Sequence, residues 1–190
     1  MTAVVVATRD IETLSGVPSG TWAIDSAHSQ VGFAVRHLMS RVRGRFDQFS
    51  GQITIAEDQH ASCVQVEIAL ASVDTGNDMR DNHLRSSDFF DVEQHPGMTF
   101  TSTGLREVHG RWILDGELTI RGIGRSVEIE LELLGFDPTG MQGEPRIGFE
   151  GRTSINRSDF GIAFGLAEGG KIVVGDRVEI LLEIEAALIA

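Results

Sequence analysis

From Thr21 onward, apolar and polar residues alternate along much of the chain. In the segment CVQVEIALASV, Val64, Val66, Ile68 and Leu70 share one parity, while Gln65 and Glu67 take the other. A period of two gives a strand one apolar and one wet face, so this segment is predicted to be a half-buried β-strand. The same alternation groups Trp112, Leu114, Leu118 and Ile120, and sets Val127, Ile129, Leu131 and Leu133 against Glu128, Glu130 and Glu132. Near the end it sets Val178, Ile180, Leu182 and Ile184 against Glu179, Glu183 and Glu185. Further strands are expected near residues 22–37, 44–55, 97–104 and 146–156, which makes about eight, joined by turns such as DPTGMQGEP. Strands at this spacing pair as an antiparallel meander, and eight of them leave two raw edges unless the sheet closes. The expected fold is therefore all-β, an eight-stranded antiparallel up-and-down barrel, which can be filled by side chains or can hold one elongated ligand.

One segment breaks the alternation. TGNDMRDNHLRSSDFFDVEQHP, residues 75–96, offers Asn77 or Asp78 as an N-cap, continues through helix-tolerant residues and closes at His95 before Pro96. A short helical segment is predicted near residues 77–90, with Phe89 and Phe90 anchoring it to the barrel. Residues 1–19 show no clear period and end in SGVPSG, so they read as a poorly ordered arm ahead of a single domain over residues 20–190.

Composition narrows the classes of function. A 190-residue chain with 41% hydrophobic and 23% charged residues suits one soluble domain, and no apolar run is long enough to span a bilayer. A formal net charge of −12 argues against nucleic acid as a partner and against stable membrane insertion. The opening TAVVVATRD lacks the basic flank and the long apolar core of a signal peptide, so a cytoplasmic location is expected. The single cysteine, Cys63, excludes an intrachain disulfide and is expected to be a small buried hydrophobe.

Catalytic signatures are absent from the sequence: no phosphate-binding glycine loop, nucleophile elbow, CxxC or HExxH motif occurs. Of the six histidines, His28, His37, His83 and His95 have polar or acidic neighbours, but no pair has the short spacing of a metal site, and no cofactor is implied. His37 shares the parity of Val31, Phe33 and Val35, the apolar face of its strand. It is either a hydrogen-bonded core histidine or a donor aimed at a ligand's polar head. Arg41, Arg43 and Arg45 share the opposite parity from Val42, Gly44 and Phe46. They form either an outer row of cross-strand partners for carboxylates or a rim that meets an anionic group. In INRSDFGI, residues 155–162, a tight turn pinned by Asn156, Arg157 and Asp159 is expected.

The ordered series IDSAHSQVGFAVRHL, GRFDQFSGQI, SVDTGNDMRDNHLRSSDFFD, HPGMTFTST, LTIRG and INRSDFGI resembles the YceI-like polyisoprenoid-binding family from about Thr21 to the C-terminus. The resemblance implies a lipocalin-like barrel that binds, sequesters or transports a long isoprenoid lipid, such as a polyprenyl phosphate or a quinone, and that forms a homodimer. Many relatives carry a signal peptide, from which this chain departs. Placed in such a barrel, Phe33, Val35, His37, Phe46, Phe49, Trp112 and Leu114 are the lumen candidates, and Arg41, Arg80, His83 and Arg157 the candidates for the head group. Ten phenylalanines and no tyrosine suit an apolar lumen. Two other readings remain at this point: an isomerase or hydrolase acting on an apolar substrate in the same cavity, with His37 as its base, and a barrel with a filled core.

Overall fold

The computed structural model describes residues 16–141, 143–165 and 174–189. Its strands are β1 (Gly20–Ile24), β2 (Gln30–His37), β3 (Ser40–Phe46), β4 (Phe49–Ile55), β5 (Cys63–Ala69), β6 (Val73–Asp74), β7 (Gly97–Val108), β8 (Arg111–Ile120), β9 (Ile123–Asp137), β10 (Arg146–Asn156) and β11 (Val174–Leu188). One helix, α1 (Asp78–Arg85), interrupts them. Every pairing is antiparallel, and the order β1-β4-β5-β7-β8-β9-β10-β11 closes on itself because β1 also pairs with β11. The result is a closed eight-stranded barrel.

Eleven segments fill eight positions because three strands are bent. β1 and β2 lie in tandem along one edge of β11, β3 and β4 continue each other, and β6 carries on from β5 to pair with β3. The inward parity changes at each bend, from Trp22 and Ile24 to Val31, Phe33 and Val35, from Phe46 to Phe49, Ile53 and Ile55, and from Ile68 and Leu70 to Val73. One continuous strand over residues 22–37 or 44–55 is therefore not what forms. Each bend is bonded. The Asp25 N–H donates to the Glu185 carbonyl at 2.8 Å, and Ser29 Oγ accepts from the Glu185 N–H at 2.9 Å. Ser72 Oγ accepts from the Gln48 N–H at 3.0 Å.

Inward parity builds the core as the alternation predicts: Trp112, Leu114, Leu118 and Ile120 of β8 are all buried. A bulge between Gly148 and Phe149 of β10 sets Gly135 and Leu133 on successive partners, which leaves Leu134 exposed and turns Phe136 inward. Trp22, wholly buried on β1, packs edge-on against Phe136 at 6.2 Å and blocks one end of the barrel with Ile147. Most of the predicted arm, residues 1–15, lies outside the described residues, while Val17 packs against the core.

α1 starts as expected, with Asn77 Oδ1 accepting from the Arg80 N–H at 3.0 Å, but ends at Arg85, and turns carry the chain on to Pro96. Asp81 is buried beneath it, and burial alone would raise its carboxyl pKa. Hydrogen bonds from the Thr75 hydroxyl and N–H, with the nearby Arg85 charge, hold it below its ordinary value instead. Cys63 departs from expectation. It takes the outward parity of Gln65 and Glu67 on β5 and is exposed.

Where the barrel closes, Arg146 of β10 ties three elements together: Nη1 donates to Asp25 Oδ2 at 2.7 Å and to Glu185 Oε1 at 2.5 Å, and Nε to Glu144 Oε1 at 2.9 Å. The Arg146 hydrogen bond, assisted by one from His28, holds Asp25 at about 2, below its ordinary 3.8. A carboxyl with a depressed folded-state pKa stabilises the fold above its unfolded pKa, and that contribution fades as pH falls toward the folded value. Thermal unfolding followed by circular dichroism should therefore show stability falling between pH 3.8 and about 2. Asp25→Asn should flatten that part of the profile and lower the Tm at neutral pH.

Candidate functional site

The strands enclose an apolar cavity of about 400 Å³. Its lining comes from the inward parity of nearly every strand, so the same alternation that closes the barrel makes the wall greasy. Of the residues singled out from sequence, Phe33, Val35, His37, Phe46, Phe49, Arg80, His83, Trp112, Leu114 and Arg157 all line it. Arg41 does not. It sits on the outer face of β3, where Nη1 donates to Glu179 Oε2 of β11 at 2.6 Å. Arg45 on the same face pairs with Asp47 and, across to β6, with Asp74, so Arg41 and Arg45 bind carboxylates on the outer face. Arg43 is exposed beside them, and Arg41 lies away from the lumen mouth where the head-group candidates gather.

The basic groups of the cavity gather at one end, opposite Trp22. His37 ends β2 and pairs with Val174 of β11, Arg157 follows β10, and Arg80 and His83 project from α1. Arg80 is oriented by Thr75, with Nε donating to its Oγ1 at 2.7 Å and Nη2 to its carbonyl at 2.8 Å. His83 Nε2 is hydrogen-bonded to Asp88 Oδ2 at 2.8 Å, and its ring meets Phe89 and Phe164 edge-on at 5.1 and 4.7 Å. This mouth is therefore aromatic and cationic together.

Arg157 explains a break in the wall. β11 uses residues 175–177 opposite Arg36 alone, because Val174 pairs with His37 but Val178 already pairs with Val35. The bulge turns carbonyls out of the ladder, and Arg157 caps them: Nε donates to Gly175 O at 2.9 Å and Nη2 to Val174 O at 3.1 Å. Nη1 donates to Ile162 O at 2.9 Å and also to Phe164 O. Burial lowers its pKa, with Asp176 acting the other way, yet a guanidinium keeps its charge in a protein. Its partners are neutral carbonyls, so the positive charge is available to an anion in the mouth. The sequence suggested a turn pinned by Arg157; its bonds to β11 could not be read from local spacing.

Two features were missed in the sequence. The ladder between β9 and β10 stops at Glu130 opposite Arg152, although both strands run further. A polar cleft with Arg125, Glu128 and Asp159 lies outside the parted strands, and Val127, Thr153, Ile155 and Phe160 line both cleft and lumen. The glutamate alternation on β9 reads the same whether or not β10 is paired, so no local signal marks the slot. Elsewhere, Asp25, His28 and Glu185 bring three ligand-type atoms within 4.8 Å of one another. The Arg146 guanidinium already binds both carboxylates, so a cation occupies the position a metal would need.

A closed eight-stranded antiparallel barrel around an apolar lumen places the chain in the lipocalin-like class of folds. Residues 22–186 match the YceI-like domain, and the chain belongs to that family. It is 37% identical over 165 residues to a UPF0312 protein of Pseudomonas paraeruginosa, covering 85% of this chain and 82% of the relative. Among solved structures, BcnA of Burkholderia cenocepacia superposes with a TM-score of 0.75 at 25% identity, over 85% of this chain and 98% of that one. A polyisoprenoid-binding domain from Saccharophagus degradans shares the fold, with a TM-score of 0.69 at 18% identity over 90% of this chain and 100% of that domain.

If Arg157 caps the β11 bulge, Arg157→Met should expose the amides of residues 174–178 to faster hydrogen exchange and cost about 3 kcal/mol in urea unfolding. Amide exchange in β7 and β8, far from the bulge, should change no more than the global stability requires.

Proposed function

We propose that this protein binds a long-chain isoprenoid lipid inside the barrel and sequesters or carries it without covalent chemistry. The observation that carries the reading is the segregation of the lumen: an apolar cavity whose basic groups, His37, Arg80, His83 and Arg157, lie at one end. Such a site suits a ligand with a long apolar tail and one polar end. Each buried methylene contributes on the order of 0.8 kcal/mol, so the tail supplies most of the affinity. A sum over a long tail would pass the practical ceiling of roughly 18–21 kcal/mol, so ordering costs must offset much of it. Selection then falls to the mouth, where two guanidinium groups and two imidazoles favour a phosphate or a quinone carbonyl over a methyl terminus. The polyisoprenoid-binding domain that shares the fold supports the same ligand class.

The enzymatic reading gains little from the geometry. The base that reading would need is His37, and among the described residues no hydroxyl or thiol is hydrogen-bonded to its ring. The carrier is further proposed to act in the cytoplasm as a homodimer.

Native mass spectrometry of freshly purified protein should show a bound lipid whose mass fits an isoprenoid series, and the same spectrum reports the oligomeric state. Val35→Asn places an amide in the lumen wall and should lower retention of that lipid about tenfold, or roughly 1.4 kcal/mol. An empty protein with no extractable lipid would remove the proposal.

A further inference from the structure

Two-residue hairpin turns connect β2 to β3, β7 to β8 and β8 to β9. Two of them have the chemistry such turns favour. His109-Gly110 and Arg121-Gly122 each pair a polar residue with a glycine, and all four residues have positive φ, between 51° and 77°. The β2–β3 turn is Leu38-Met39. Leu38 is held at φ 51°, a left-handed conformation that glycine and asparagine adopt readily and leucine rarely does. Both side chains project into water, with Leu38 45% and Met39 101% exposed. Neither residue lines the lumen or belongs to the core cluster. At position 38 fold stability alone would favour asparagine or glycine over leucine.

The charge around this tip is also unlike the rest of the chain. Residues 36–46 contain four arginines and no acidic residue, in a protein with a formal net charge of −12. Arg41 and Arg45 are joined to carboxylates, whereas Arg36 and Arg43 are exposed, and Arg36 bonds the Leu38 carbonyl at 3.3 Å through Nε. Screening limits exposed charges to a range of roughly 8 Å at physiological ionic strength, so a surface touching the tip meets chiefly the charges beside it, where Glu179 is taken up by Arg41 and Asp176 lies in the bulge opposite Arg36. An apolar tip flanked by cations fits the interface of an anionic bilayer, where apolar side chains enter the acyl boundary and arginines remain among the head groups.

We propose that the Leu38-Met39 hairpin tip is a peripheral docking point for an anionic lipid bilayer, with Arg36 and Arg43 contacting its head groups. The tip adjoins His37 at the mouth of the lumen, so docking sets that mouth against the membrane surface. The contact is reversible and shallow, made by one turn, and involves no membrane-spanning segment. It does not depend on which ligand the lumen holds.

The test is flotation of the full chain with vesicles of phosphatidylglycerol and phosphatidylcholine, and with phosphatidylcholine alone. Wild type should float with the anionic vesicles and be released by salt. Leu38→Asn combined with Met39→Gly should weaken that binding at least about tenfold. Arg36→Gln with Arg43→Gln should weaken it about tenfold and reduce its salt dependence. Both double variants should keep the wild-type Tm or exceed it, and should bind the lumen probe N-phenylnaphthylamine as wild type does, which separates this outcome from any failure of lipid binding in the lumen. Wild type that ignores anionic vesicles would overturn the proposal, as would turn variants that float unchanged. A concentration-dependent dimer abolished by the turn variant, without vesicle binding, would assign the tip to a second copy of the chain and overturn it equally.

Discussion

The pairing of β1 and β2, in tandem, with β11 joins the two ends of the meander: Trp22, Ala23 and Ile24 meet Leu188, Ala187 and Ala186, and β2 meets β11 from Glu183 back to Val174. Without it the sheet would have two free edges and no interior; with it, inward residues along the strands face one another across a lumen. The β1 part of that ladder is short, and its surroundings compensate. Arg146 grips Asp25 and Glu185 across the seam, Ser29 bonds Glu185 twice, and Trp22 fills the space behind with an indole packed on Phe136. The same end of the barrel is thereby sealed, which leaves the other end as the place where polar chemistry and access meet.

At that open end, secondary structure is interrupted wherever function is proposed. α1 lies across the mouth, the β11 bulge is capped by Arg157, and the β9–β10 ladder stops short. Each interruption removes backbone hydrogen bonds that a regular barrel would make, and each is met by a specific side chain or is open to solvent. Asn77 caps the helix, Asp81 holds Thr75, and Arg157 serves four carbonyls. The mouth is thus held by hydrogen bonds as well as by the ring contacts of His83, Phe89 and Phe164.

Strand alternation made the lumen legible because each side chain's face follows from parity alone. Ten of the eleven site residues named from sequence line the cavity for that reason, or because they fall in the segments that cover its mouth. Arg41 failed on the same ground that should have excluded it: its parity is opposite to that of Phe46, so it points outward to Glu179. Cys63 was expected to be buried from its residue type, but its position has the parity of Gln65 and Glu67, and parity decided its exposure.

The sequence by itself determined which residues face in, that the sheet is antiparallel, where the helix begins and which family the motifs resemble, since all of these depend on neighbours a few positions apart. Tertiary structure alone decided how the bent segments pair, the Arg157 clasp on β11, the parting of β9 from β10 and the gathering of His37, Arg80, His83 and Arg157 at one mouth. These depend on contacts between residues far apart in the chain, such as Asp25 with Arg146 and Arg41 with Glu179. Local periodicity carries no record of them.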